Sequence, residues 1–230
     1  STDVVRANAA DPARKTWFEN QVIAPQVAWW QAAESDGRPL SELSYPRFGN
    51  QCGATVEGTF IGLGSVANDL HGRVIARHLS GPRPVIAEIG GGYGKLLYFL
   101  SRRLRRFCYL DFDLPETLCC ASYFLMKAFP ESRFLLYGEG EFGPEALEGF
   151  DFILLPSFEI GRLPDRAVDM FLNKNSLGEM SPDLCRLFVG EICRTTEYFW
   201  HLNHEFVRNT FGDGTASLLN GEYPVPENEF

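Results

Sequence analysis

Positive charge is what this 230-residue chain is short of. Lys and Arg total 21 against 30 Asp and Glu, a formal net charge of -9. So acidic a chain offers little to a phosphate backbone or an anionic bilayer, which argues against nucleic-acid or membrane-surface binding. The basic cluster Arg102, Arg103, Arg105, Arg106 falls where a helix should end, and cations there complement the helix dipole. Long apolar runs are missing too, none approaching the ~20 residues that span a bilayer. The opening STDVVRANAADPARK lacks the apolar stretch of a secretory leader. The six cysteines form no C-x-x-C pair and no Cys/His spacing that suggests zinc. Reduced, mostly buried thiols of a cytoplasmic protein are the expectation.

What is present is ordinary globular material, 45% hydrophobic, enough for one sizeable core and an appendage. Residues 12–35 are rich in helix formers with an amphipathic spacing. SYPRFGNQCGATVEGTFIGLG, punctuated by Gly and Pro, reads as loop. SVANDLHGRVIARHLSG reads as a helix stopped by Gly81 and Pro82. Residues 1–82 are therefore expected to form a mainly helical arm or cap. From Pro84 onward the texture alternates. PVIAEI, RFCYLDF, SRFLLYG, FDFILLPS and TEYFWHLN are five strand candidates. KLLYFLSRRLRR, PETLCCASYFLMKAF and PDLCRLFVGEICRTT are helices between them. Short apolar strands alternating with helices predict an α/β domain over residues 83–230, its mostly parallel sheet covered on both faces.

Ligands of such sheets bind beyond the carboxyl ends of the strands. The first strand-to-helix turn, AEIGGGYGK, carries Gly90, Gly92 and Gly94, and Lys95 stands where a dinucleotide fingerprint wants its third glycine. A phosphate-binding G-x-x-x-x-G-K-[ST] loop is absent as well. Glu88, two positions before Gly90, suits a zwitterionic amino group better than a pyrophosphate. At the end of the second strand, YLDFDLPET offers carboxylates able to accept two ribose hydroxyls. Asp113 is preferred, with Asp111 the alternate, and one of the two can instead cap the helix begun at Pro115.

Acid-x-Gly-x-Gly-x-Gly after a first strand resembles the first motif of class I S-adenosylmethionine-dependent methyltransferases, and D-L-P-E resembles the ribose-binding segment of small-molecule O-methyltransferases. AEIGGGYGKL, YLDFDLPETL and VDMFLNKNSLGEMSP, followed by TEYFWHLN, together resemble a narrower group, the sugar O-methyltransferases of antibiotic and glycan gene clusters. The pieces spread over residues 86–203. The resemblance implies a Rossmann-like class I methyltransferase fold with S-adenosyl-L-methionine as cofactor and S-adenosyl-L-homocysteine as product. It implies a cofactor site of Glu88, Gly90, Gly92, Gly94, Asp113 and Leu114, with Gly138 and Glu139 bordering the adenine. Pro156 and Ser157, ending the fourth strand, are expected on the cleft floor beside the methionine part. A plain solvated turn is the alternative for Gly138 and Glu139.

NKNSLGEMSP admits two readings. Ser176 and Glu179 have capping-box spacing, and Ser181-Pro182 is a good helix start. The resemblance instead places Asn175 and Glu179 beside the cleft, touching cofactor or acceptor. Methyl transfer to a hydroxyl needs alignment and a base for the departing proton. His204, just past the fifth strand, is the first choice of base and His71 on the cap helix the second. Asn203 would orient the acceptor, and His201 reads as structural. No dense Asp cluster suggests a metal, so none is expected. Beyond Leu202 the chain is a thin source for the two further strands such folds usually add, and the domain is expected to be abbreviated there, its tail a lid or a partner contact. The partners expected are a small-molecule acceptor, a sugar or sugar-bearing metabolite, and a second copy of the chain. Competing readings are a phenol, amine or carbon acceptor and a non-catalytic methyltransferase-like subunit.

Overall fold

The computed structural model describes residues 13, 16–17, 19–48 and 51–226, which fall into two compact units dividing between Val74 and Ile75. In the first, a π-helical turn (Glu19–Ile23) runs into α1 (Ala24–Ala33). Its buried positions Ile23, Val27 and Trp30 recur at intervals of four and three, one face of a helix. They pack with Leu43, Ala54, Ile61 and Val66. The stretch expected to be loop instead holds an antiparallel hairpin, β1 (Gly53–Val56) and β2 (Thr59–Gly62). Glu57 and Gly58, both with positive φ, turn it in the manner suited to a two-residue hairpin. Four-residue strands around an unremarkable Glu-Gly pair leave little periodicity to read. The helix α2 (Ser65–His78) follows as expected. Its Asp69, 1% exposed, accepts from Trp30 Nε1 at 2.9 Å and pairs with Arg73 at 3.2 Å and Arg38 at 3.4 Å. A buried carboxylate is tolerable only with such partners. His71 lies half-buried on this helix.

In the second unit, β3 (Val85–Ile89), α3 (Lys95–Ser101), β4 (Cys108–Asp113), α4 (Pro115–Ala128), β5 (Phe134–Leu136), α5 (Pro144–Gly149), β6 (Phe152–Pro156), β7 (Met170–Lys174), α6 (Pro182–Thr195) and β8 (Phe199–Leu202) follow in order. The sheet runs β5-β6-β4-β3-β7-β8, every pair parallel. This is the expected α/β, Rossmann-like architecture with a mainly helical part before it. One detail differs. DMFLNKN, not counted among the five strands, is β7 and lies directly beside β3. The sheet also places β6, the fourth expected strand, between β5 and β4. Parallel crossovers are right-handed, so connections running in opposite directions along a sheet lay their helices on opposite faces. One face, with Ala87, Ile89, Leu110, Phe112, Ile153, Leu155 and Phe171, packs on Cys185, Phe188, Val189 and Ile192 of α6 and Ala146 and Leu147 of α5. Each such Leu, Ile, Val or Phe side chain contributes ~1.5–3 kcal/mol by leaving water. By strand alternation Ile86, Glu88, Tyr109 and Asp111 point the other way. After β8, residues 203–226 add an isolated Thr210–Ala216 bridge and a helical turn at Asn220–Glu222, with no further strand. Among the described residues no helix is long and apolar enough to cross a membrane.

Candidate functional site

The strand order reverses between β3 and β7, and that is where α/β sheets open a crevice for ligands. A cavity of about 660 Å³ sits there, over the carboxyl ends of β3, β4, β6 and β7. Its wall includes Gly90, Gly92, Asp113, Leu114, Ser157, Lys174, Asn175, Ser176 and Glu179, with apolar surface from Ile89, Phe112, Met180, Leu184, Phe188 and Phe211. That volume lies within the ~300–1,000 Å³ usual for small-molecule sites.

The glycine turn is held from below by the two aspartates of β4. Gly90 N donates to Phe112 O at 2.8 Å and Gly91 N to Asp111 Oδ1 at 3.1 Å. Gly92 N donates to Asp113 Oδ2 at 2.7 Å, while Leu114 N donates to Asp113 Oδ1 at 2.6 Å. A carboxylate offers about four acceptor sites, so each Asp113 oxygen keeps one lone pair after these bonds. Asp113 lines the cavity; Asp111, 2% exposed, does not. The glycines differ in what surrounds them. A Cβ at Gly90 would strike the Ser176 side chain, and at Gly94 it would meet Leu125 at 2.9 Å. At Gly92, φ +64°, it would meet nothing within 4 Å. Gly92 is thus the open rung of the turn.

Glu88 does not line the cavity; it lies beneath the turn, 2% exposed, and accepts from the Tyr109 hydroxyl. Burial raises its pKa to about 7, with Tyr109 and Lys174 pulling against that and Asp113 adding to it. Asp111 is raised well above the carboxylate range, first by burial and then by Glu88 and Asp113. Lys174, on the cavity wall, is lowered by burial and partly restored by Glu88. Three carboxyls and one ammonium therefore share the floor of the turn.

A second network comes from NKNSLGEMSP. Asn173, fully buried, donates to Ile89 O at 2.8 Å and to Ser176 Oγ at 2.5 Å. Its Oδ1 accepts from Asn203 Nδ2 at 2.8 Å and from Leu177 N at 3.4 Å. Ser176 Oγ donates to Ile89 O at 2.9 Å, so the capping-box reading of Ser176 is replaced by a clamp on the residue before Gly90. Ser181 does cap α6, accepting from Leu184 N at 3.4 Å with Pro182 following. This clamp, and the cavity-lining Lys174, were not singled out from sequence. Their signal was the Asn-Lys-Asn-Ser run itself, once it is known to end a strand beside the glycine turn.

The other sequence-derived candidates separate. Asn175, held at φ +65° with its N–H on Leu202 O, lines the cavity with Glu179, Leu114 and Ser157. Pro156 is buried below Ser157, and β6 lies past β4, so both sit on the Asp113 side rather than beside β3 and β7. Gly138 and Glu139 are exposed after the edge strand β5 and stand apart from the cavity wall. Asn203, 8% exposed, is spent on Asn173 and on Gly178 N at 3.3 Å. His204 is exposed next to Gly178 and does not line the cavity. His201 stacks on Phe199 at 4.7 Å, and burial lowers its pKa. His71 belongs to the first unit.

No family model matches the chain, and no curated protein matches it. Solved structures do. The mitomycin 7-O-methyltransferase MmcR is 16% identical with a TM-score of 0.45, over 70% of this chain and 46% of that one. The N-terminal domain of EvdMO1, determined in the presence of S-adenosylhomocysteine and D-fucose, is 15% identical with a TM-score of 0.45, over 71% and 64%. A methyltransferase dependent on S-adenosylmethionine from Aquifex aeolicus is 19% identical with a TM-score of 0.39, over 60% and 66%. The chain thus spans about half to two thirds of the length of these structures.

Proposed function

We propose that residues 83–230 bind S-adenosyl-L-methionine and transfer its methyl group to a hydroxyl of a sugar or sugar-bearing small metabolite. The observation that carries this is Asp113. It holds the glycine turn through Gly92 N, accepts from the following Leu114 N, and keeps one lone pair per oxygen for a vicinal diol. The open Gly92 beside it lets a ligand approach the backbone. Leu114, 61% exposed on the cavity wall, offers an apolar surface to the adenine, with Ser157 on the same side.

When bound, the cofactor supplies a methyl already activated by its sulfonium. The chain's share is to fix the acceptor oxygen in line, a task for which positioning can lower the barrier by ~7–11 kcal/mol. It must also take up one proton as the ether forms. Among the cavity-lining ionisable groups Asp113 is given to the ribose, and Glu179 is assigned the proton, with Asn175 orienting the acceptor. His204 is the competing base.

Calorimetry with S-adenosylhomocysteine and with NAD tests the core of the proposal. Binding of the first alone supports it, and binding of NAD alone overturns it. Asp113→Ala should weaken S-adenosylhomocysteine at least ~10-fold, by loss of a charged hydrogen-bonding pair. In an acceptor screen with methyl-labelled cofactor, Glu179→Gln should abolish turnover while binding persists. If His204→Ala abolishes it and Glu179→Gln does not, the base is His204.

A further inference from the structure

Both polar and apolar side chains line the cavity past β7, Asn175 and Glu179 among the polar ones. Ser176 Oγ is committed to Ile89 O and Asn173, and Ser181 Oγ to the cap of α6. Leu184 and Phe188 lie one turn apart on α6, and Met180, in extended backbone just before the Ser181 cap, lines the cavity with them. This apolar wall descends from Leu184, 42% exposed, to Phe188, 4% exposed.

Phe211 joins this wall from the segment after β8. That segment is tied back on itself. Phe211 N donates to Thr215 O at 2.8 Å, and Gly214 N returns to Phe211 O at 3.0 Å. Asn209 Nδ2 reaches across to Gly178 O at 2.7 Å, fastening the loop to the turn that bears Glu179. Arg208 donates to Ser217 O at 2.8 Å and pairs with Glu222 at 2.5 Å, closing the loop from the other end. Among the described residues after β8, Tyr223 packs into the core while Phe211 lines the cavity.

The ribose marker Asp113 is on β4, while this wall belongs to β7 and α6, on the far side of β3. A ligand lying from Asp113 across Gly90 and Gly92 ends facing it. The wall therefore meets the acceptor. A bare sugar carries hydroxyls on every side, and those turned to Met180, Leu184, Phe188 and Phe211 would lose water without finding a partner.

We propose that the acceptor is a glycoside with an apolar aglycone, its sugar hydroxyl at Asn175 and Glu179 and its aglycone against Met180, Leu184, Phe188 and Phe211. This rests on the methyltransferase reading above. The sugar supplies the nucleophile, and the aglycone supplies affinity and orientation.

Two probes differing only in aglycone test it, 2-naphthyl β-D-glucopyranoside and methyl β-D-glucopyranoside, titrated by calorimetry into the protein loaded with S-adenosylhomocysteine. The naphthyl glucoside should bind at least ~10-fold tighter, the scale on which apolar pockets discriminate. Phe211→Ala should erase that difference while S-adenosylhomocysteine still binds, and Phe211→Leu should restore part of it. Equal affinities, no binding of the naphthyl compound, or an unchanged preference in Phe211→Ala would each overturn the proposal. Should Phe211→Ala fail to fold, Leu184→Ser on the exposed end of the apolar wall makes the same test. Failure to bind S-adenosylhomocysteine in the unsubstituted protein would sink the methyltransferase reading instead, so the two failures are distinguishable.

Discussion

An alanine at Gly90 and an alanine at Gly92 should fail in opposite ways. Both positions have positive φ, +75° and +64°, and a residue with a Cβ there costs ~1–2 kcal/mol. At Gly90 the Cβ also runs into Ser176, whose hydroxyl ties Ile89 O to Asn173. Overpacking adds ~1–3 kcal/mol, and a displaced Ser176 gives up a hydrogen bond worth ~0.5–1.5 kcal/mol. Gly90→Ala is therefore expected to lose about 4 kcal/mol of stability, a large part of a typical domain's total. At Gly92 the Cβ meets nothing within 4 Å, so Gly92→Ala should lose only about 1–2 kcal/mol. That Cβ stands in the cavity, however, and should weaken S-adenosylhomocysteine at least ~10-fold by blocking backbone approach. Urea unfolding gives the first quantity and calorimetry the second. The reasoning is refuted if the two variants lose equal stability, or if Gly92→Ala binds S-adenosylhomocysteine as the unsubstituted protein does.

Asn173→Leu should cost ~3 kcal/mol or more in thermal or urea unfolding, because it strands Leu177 N and Asn203 Nδ2 in a buried site and leaves Ile89 O with Ser176 Oγ alone. A loss under 1 kcal/mol would show that the clamp is not structural. Glu88 predicts a pH dependence. Its folded pKa is raised from 4.5 to about 7, so the folded state holds the proton more tightly in that window. Its contribution to stability falls as pH rises from about 4.5 through 7. Glu88→Gln, which mimics the neutral acid, should flatten that part of the profile in melts across pH 4.5–8; an unchanged slope would contradict the assignment. Ser181→Ala should lose about 1 kcal/mol with the cap of α6, and no loss would mean that Pro182 alone sets the helix start.

Much of this was legible in advance where a local pattern had a local cause. Apolar runs closed by Gly and Pro marked β3, β4 and β6, and Pro115 and Ser181-Pro182 marked the starts of α4 and α6. The glycine turn and the acidic end of β4 were read from composition and spacing, since the positive φ of Gly90, Gly92 and Gly94 favours glycine. β7 was missed because MFLNK is short and ends in polar residues, though four of its five residues are buried. The hairpin before α2 was missed for a similar reason, its turn being Glu-Gly with no flanking alternation.

Sequence alone sufficed to establish the kind of sheet, the turn that opens its first crossover, and the acid that ends its second strand, because each depends on neighbours along the chain. Strand order was another matter. Whether β6 or β7 lies beside β3 depends on pairings between residues more than 60 positions apart, as in Asp169 N to Val85 O, and periodicity carries no trace of them. That order set Pro156 and Ser157 beside Asp113 and brought Lys174, Asn175 and Ser176 to the glycine turn. Phe211, from the segment after β8, lines the same cavity. Contacts of that range are settled by packing and by the need to satisfy buried polar groups such as Asn173, and only the folded chain displays them.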